Sequence, residues 1–106
     1  MAKKRKTMQG LVYYEISHEE QIKLIQAGSF GNRCDSCGET IKNVYWVPVL
    51  NWGMCDKCFN HWKEHAKYYE EDEWYTANLV NWIEDEFKKL GIELKDESEE
   101  KNEIII

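Results

Sequence analysis

Four cysteines in two close pairs constrain this chain more than any other feature of its sequence. Cys34 and Cys37 form the first pair, Cys55 and Cys58 form the second, and 17 residues separate the pairs. Two thiolates two residues apart can reach one ion from a single tight turn, and two such turns complete a tetrahedron with Zn–S distances of about 2.3 Å. Because four thiolates leave no position open for water, the pattern predicts one structural zinc ion per chain.

The preference for a metal over disulfides depends on where the chain works. No apolar run is long enough to span a membrane, and the residues after the basic run Lys3–Lys6 do not form the apolar segment of a signal peptide. We therefore expect a cytoplasmic protein, with the nucleus left open by that basic run. Thiols stay reduced there, which favours metal binding. Four cysteines also suit a mononuclear iron or an iron–sulfur cluster.

Hydrophobic periodicity predicts two elements before the cysteines. Apolar and polar residues alternate over 11–16, which is typical of a half-buried strand. Ser17 and Glu20 then form the signature of a capping box, which predicts a helix over 18–27. A strand and a short helix should therefore precede the metal site.

Three more elements are predicted after the first cysteine pair. Residues 43–50 are rich in Val, Tyr and Trp and predict a strand, which Pro48 confines to an edge or an end of a sheet. Apolar residues recur at helical spacing over 56–69 and 75–90, and Gly91 is placed to end the second of these helices. The predicted fold class is α+β, with a knuckle–hairpin–helix zinc module between a strand–helix unit and a C-terminal helix.

The chain has the length of one domain, and its ends differ from its middle in composition. It has 106 residues, and domains usually exceed 50 residues. Residues 1–9 are basic and polar without periodicity, which predicts a disordered arm. Residues 92–106 carry more acidic than basic side chains and predict a disordered acidic tail. The zinc-binding domain is therefore expected to span residues 10–91.

The cysteine segment resembles a known family of zinc fingers. The run Cys34-Asp35-Ser36-Cys37-Gly38, a hairpin, and Met54-Cys55-Asp56-Lys57-Cys58 at the start of a helix resemble a treble-clef finger, with the Cys-x2-Cys-x17-Cys-x2-Cys spacing of the GATA type. The likeness covers about residues 33–66. It implies that the four cysteines hold zinc in a knuckle–hairpin–helix fold. The whole chain is also similar to small bacterial or mobile-element proteins with one such finger.

Resemblance to GATA-type fingers would also imply DNA binding, which the charges oppose. Those fingers carry arginines on the hairpin, where this chain has the apolar run Val44–Val49. The net charge is -6, and residues 43–106 hold 15 acidic and seven basic side chains, so phosphate is repelled. The fold carries over and DNA binding does not. A nucleic-acid-binding regulator using the finger and Lys3–Lys6 is kept as the alternative function.

Two histidines are further candidates for metal ligands or catalytic groups. His61 and His65 lie four residues apart, a zinc-ligand spacing when a third ligand accompanies them, but the order around Glu64 is not His-Glu-x-x-His. Asn60-His61 resembles nucleases of the His-Asn-His type, which need a general-base histidine that the hairpin lacks. We expect an exposed pair, no catalytic residue and no enzymatic activity.

The aromatic content suggests a protein partner. Five tryptophans and six tyrosines exceed what one small core usually needs, and both residue types are enriched at interfaces. Trp46 and Trp52 lie on or near the predicted hairpin, and Trp82 flanks the apolar stripe of the last helix. We expect these three to form an exposed patch that contacts another protein or a second copy. The predicted function is a non-catalytic, zinc-stabilised protein-interaction or accessory module.

Overall fold

Residues 1–98, the part of the chain that this computed structural model describes, form a five-stranded sheet flanked by helices. The strands are β1 (Ala2–Lys6), β2 (Val12–Ile16), β3 (Val44–Val47), β4 (Trp52–Met54) and β5 (Leu94–Asp96). The helices are α1 (His18–Gln26), α2 (Asp56–Lys63) and α3 (Glu73–Leu90), and a 3₁₀ turn (Glu70–Asp72) precedes α3. The strand order is β4-β3-β2-β1-β5, with β1 and β5 parallel and the other neighbours antiparallel. The α+β class is confirmed, and no helix in this region is long and apolar enough to cross a membrane.

Successive side chains of a strand point to opposite faces, so β2 and β3 present different residues to different helices. On one face Tyr45 stacks on Phe59 of α2, with ring centroids 4.6 Å apart and planes 5° from parallel. On the other face Tyr14 meets Phe87 of α3 at 5.8 Å. The sheet therefore lies between α2 and α3, and both interfaces contain aromatic rings.

A small polar cluster joins the sheet to α3 inside the second interface. The hydroxyl of Tyr14, which is fully buried, donates to Glu84 Oε2 at 2.6 Å, and Lys4 Nζ lies 2.7 Å from the same oxygen. Burial and then the hydrogen bond to Glu84 raise the pKa of Tyr14 well above its usual value. The cluster fixes how α3 lies across β1 and β2, because a buried polar group left without its partner is costly.

The predicted ends of the helices largely agree with the structure. Ser17 and Glu20 form the capping box of α1, and Gly91 ends α3 with a φ of 70°. Helix α2 is the exception, because it ends at Lys63 and not at the predicted residue 69. The backbone carbonyl of Lys63 accepts a hydrogen bond from the Gln9 side chain at 3.0 Å. Tyr69 is 51% exposed instead of facing the core, because it lies beyond the end of α2.

Residues 1–9 are not the disordered arm that the composition predicts. Ala2–Lys6 form β1, which pairs with β2 on one side and β5 on the other. A run of charged residues gives no hydrophobic period, so its strand character comes from pairing with β2, the next strand along the chain, and with β5 from the far end of the described residues. Lys4 pairs with Glu84, and Arg5 lies 2.6 Å from an oxygen of Glu15.

Residues 92–98 also belong to the folded part of the chain, although the composition predicts a disordered tail from residue 92. Residues 94–96 form β5 beside β1, and Ser98 is buried, so the domain covers at least residues 2–98 instead of 10–91. The backbone N–H of Glu97 extends this pairing by donating to the Lys4 carbonyl at 2.7 Å. The part of the predicted tail over 99–106 lies outside the described residues.

Candidate metal centre

The four predicted ligands come together beside the β3–β4 hairpin. The sulfur atoms of Cys34, Cys37, Cys55 and Cys58 all lie within 4.8 Å of one another. Sulfurs at the corners of a regular tetrahedron with Zn–S bonds of 2.3 Å would be separated by about 3.8 Å. The Sγ atoms of Cys37 and Cys55 are 4.0 Å apart, so the side chains need only small movements to bind one ion.

A tight turn positions the first pair. The N–H of Gly38 donates to the Cys34 carbonyl at 2.8 Å, and Gly38 has a φ of 81°, as its place after Cys37 predicts. An isolated bridge between Arg33 and Thr40 closes the loop outside this turn. The backbone therefore reverses direction within residues 34–38, and the thiols of Cys34 and Cys37 both face the other cysteine pair.

Helix α2 positions the second pair through its N-terminus. Cys55 is the N-cap residue, and its sulfur accepts from the N–H of Cys58 at 3.5 Å, where a serine or aspartate oxygen usually sits. The N–H of Cys55 in turn donates to Cys34 Sγ at 3.3 Å. These two N–H groups hold the sulfur atoms of Cys34 and Cys55 in the cluster.

Asp35 connects the two halves of the site, and our sequence analysis did not assign it this role. Its backbone N–H donates to the Gly53 carbonyl and its Oδ2 accepts from the Gly53 N–H, both at 2.8 Å. A Cβ at Gly53 would lie 3.0 Å from Val44 Cγ1, so a larger residue would press on β3. The sequence feature that could have indicated this role is an aspartate placed between two cysteines, because Asp side chains often accept hydrogen bonds from backbone N–H groups.

The folded chain sets the acidities of the thiols unevenly. Burial opposes ionisation of Cys34, but backbone N–H donors, first those of Cys37 and Cys55, outweigh it and lower the pKa of Cys34 to about 7. The Ser36 hydroxyl favours ionisation of Cys58, but the neighbouring thiols together with burial raise its pKa to about 12. Four thiolates this close repel one another, so a bound cation is needed to keep all four ionised.

The donor set fits a metal that prefers four sulfur ligands. Tetrahedral sulfur sites hold zinc or iron, and a site with four protein ligands is closed to water and substrate. No protein family matches the chain, and no curated protein or solved structure is significantly similar to it. The assignment therefore rests on the arrangement of the thiols, which supports a metal-binding module.

The histidines lie outside this cluster. His61 and His65 are exposed, with ring centroids 5.1 Å apart. Among residues 1–98, the four cysteines are the only group of three or more ligand side chains close enough to share an ion. The structure thus brings together the cysteines and leaves both histidines at the surface, as the sequence predicts.

The predicted aromatic patch is wrong for Trp46 and does not form as one surface. Trp46 is 3% exposed, because the hairpin register places it opposite Gly53 on the face that α3 covers. Its ring lies 5.9 Å from that of Trp82. Trp52 and Trp82 are 40% and 37% exposed, but Trp52 lies on the α2 face and Trp82 on the α3 face. The two exposed rings are therefore separated by the sheet.

Proposed function

We propose that this chain is a non-catalytic protein-interaction module whose zinc ion, held by Cys34, Cys37, Cys55 and Cys58, folds residues 33–66 as a treble clef. The observation that carries the proposal is the gathering of the four sulfur atoms within 4.8 Å. The elements also follow the expected order, with a knuckle, the β3–β4 hairpin, and α2 beginning at the second pair. A metal enclosed by four thiolates supports a structural role.

Exposed aromatic side chains support the interaction half of the proposal. Six tryptophan and tyrosine rings within residues 1–98 are more than a third exposed: Trp52, Tyr68, Tyr69, Trp74, Tyr75 and Trp82. Exposure of large aromatic rings to water is unfavourable in free energy, and binding to another protein would bury them. Tryptophan and tyrosine often anchor protein interfaces. The basic run offers less to nucleic acid, since Lys4 and Arg5 already pair with carboxylates.

The test compares partner binding with and without the metal. Tagged wild-type chain, Cys58→Ser and His61→Ala would be crosslinked in the native cell, and captured proteins identified by mass spectrometry. We expect one partner to be enriched with wild type and His61→Ala and lost with Cys58→Ser, because only the last opens the metal site. Equal capture by all three variants, or zinc-free wild-type protein that folds and binds fully, would reject the proposal.

A further inference from the structure

We propose that a cleft between the sheet and the first half of α3 binds a basic segment of a partner protein, an inference that rests on the proposed interaction function. We call this cleft the tyrosine groove. It has a volume of about 390 Å³, within the usual range for ligand pockets. Its apolar wall is formed by Leu11, Val12, Val49, Ala77 and Val80, and Tyr68 and Tyr69 line it from the segment between α2 and α3.

The aromatic rings at the groove are placed for contact with another molecule. Tyr68 is 44% exposed and Tyr69 is 51% exposed, although both line a cavity that has an apolar wall. Trp74, in the first turn of α3, is 69% exposed, more than any other tryptophan or tyrosine among residues 1–98. Two tyrosine rings thus line the cavity without being buried, and an exposed tryptophan follows them closely in sequence.

Charge decides which partner the groove suits. Four consecutive carboxylates, Glu70, Glu71, Asp72 and Glu73, begin at the groove, and the last two line it. Three carboxylates in all, Asp72, Glu73 and Asp96, and two ammonium groups, Lys4 and Lys6, line the groove. Lys4 is paired with Glu84, whereas none of Glu70, Glu71, Asp72 and Glu73 forms an ion pair among residues 1–98. Acidic side chains therefore outnumber basic ones at the groove, which favours a basic segment over phosphate.

Arginine matches this combination better than any other side chain. Its guanidinium stacks on tyrosine or tryptophan rings and forms paired hydrogen bonds with carboxylates, while a neighbouring apolar side chain could fill the cavity. Acidic residues at a helix N-terminus also interact favourably with the helix dipole, which alone could explain the carboxylates. It does not explain why the aromatic rings are exposed. A segment with arginine and leucine satisfies both features.

The test is an NMR titration of the zinc-loaded chain with a short peptide of alternating arginine and leucine. We expect the largest amide shifts at Gly10, Thr76, Ala77 and Val80, which line the groove, and none at Gly38 in the cysteine knuckle. A matched glutamate–leucine peptide should produce no shifts. Shifts confined to another surface, or equal shifts with both peptides, would overturn the proposal.

Two charge-matched variants separate the groove from the net charge of the chain. Asp72→Asn with Glu73→Gln should weaken binding by about tenfold, whereas Glu19→Gln with Asp85→Asn, which removes the same charge elsewhere, should change it less than about twofold. Tyr68→Ala should weaken binding by about tenfold or more without loss of the dispersed spectrum. Equal weakening by both double variants would reject the groove as the binding site.

Other occupants give distinct results that would also overturn the proposal. Movement of the groove amides when the chain alone is diluted would assign the groove to a second copy. Movement of the same amides when residues 99–106 are removed would assign it to the end of this chain. Metal analysis of the same samples distinguishes failure of the groove proposal from failure of the proposed zinc module. A chain that holds one zinc ion but binds no peptide would contradict only the groove proposal.

Discussion

At the scale of single residues, Cys55 has two roles in the same fold. Its sulfur caps α2 by accepting from the N–H of Cys58, and it is one of the four candidate ligands. The first turn of a helix has backbone N–H groups without partners inside the helix. A thiolate at the N-cap accepts a hydrogen bond from one of them, and its negative charge interacts favourably with the helix dipole. Metal binding and the start of α2 are therefore expected to depend on each other.

Cys58→Ser should remove the metal and much of the ordered structure around it. A serine hydroxyl is a poor substitute for a thiolate, and an open tetrahedron binds the ion less tightly. His61→Ala should keep one metal ion and the helical signal, since His61 lies outside the cluster. Metal content and circular dichroism measure both effects. Retained metal in Cys58→Ser, with loss in His61→Ala, would show that the ligands are assigned incorrectly.

The burial of Trp46 leads to a second expectation. Trp46→Ala should lower the free energy of unfolding by about 3–5 kcal/mol, because it empties a site between the sheet and α3. Trp52→Ala, on the same hairpin but 40% exposed, should cost less than about 1 kcal/mol. Urea unfolding of zinc-saturated protein measures the difference. Similar losses for the two variants would contradict the register of β3 and β4.

At the scale of elements, β1 shows how pairing can make a strand from a charged segment. Its side chains alternate between the α3 face, where Lys4 contacts Glu84, and the opposite face, where Arg5 contacts Glu15 and Glu97. Glu84 and Glu97 lie far from β1 in sequence, and Glu15 lies on the next strand. The strand therefore depends on α3, β2 and the residues around β5, and β1 in turn closes the sheet between β2 and β5.

Hydrogen exchange distinguishes this strand from a flexible arm. Amides of β1 that bond to β2 or β5 should exchange at least about a hundredfold more slowly than those of Met8 and Gln9, which are exposed between β1 and β2. Mass spectrometry of peptic fragments or NMR would measure the rates. Equal, fast exchange throughout residues 2–9 would restore the disordered arm that the composition predicts.

The polar cluster gives a prediction for the contact between α3 and the sheet. Glu84→Ala should cost about 3 kcal/mol, because it leaves the buried Tyr14 hydroxyl without its acceptor and the Lys4 ammonium with only Asp96, 4.0 Å away. Combining Glu84→Leu with Lys4→Met and Tyr14→Phe removes all three polar groups and should cost less than Glu84→Ala alone. Denaturant unfolding would decide, and a larger loss in the triple variant would contradict this account.

At the scale of the whole molecule, local signals predicted more than long-range ones. The cysteine spacing, the capping box at Ser17 and the glycine at the end of α3 each depend on neighbouring residues, and the structure agrees with all three. The sequence did not predict that Ala2–Lys6 and Leu94–Asp96 join the sheet. The charged run of β1 lacks the apolar alternation that marks a strand, although its partner β2 is the next strand along the chain, and the pairing of β1 with β5 connects opposite ends of the chain. Burial of Trp46 was missed for a related reason, since it depends on which face α3 covers.

A metal ion held by the four cysteines would affect the molecule beyond its own segment. The β3–β4 hairpin is held to the cysteine knuckle by Asp35 and Gly53, and β3 is paired with β2 in the centre of the sheet. Structural zinc in small modules supplies on the order of 10 kcal/mol, about as much as the whole stability of a domain this size. Loss of the ion should therefore weaken the sheet as well as the knuckle.

The most direct test of a structural metal centre is metal content measured together with folding. Elemental analysis of protein purified without chelators should find one zinc ion per chain, and chelation at neutral pH should remove the ion and much of the helical signal, which added zinc should restore. Less than about half an equivalent of any metal, in protein that keeps its full helical signal, would contradict the account.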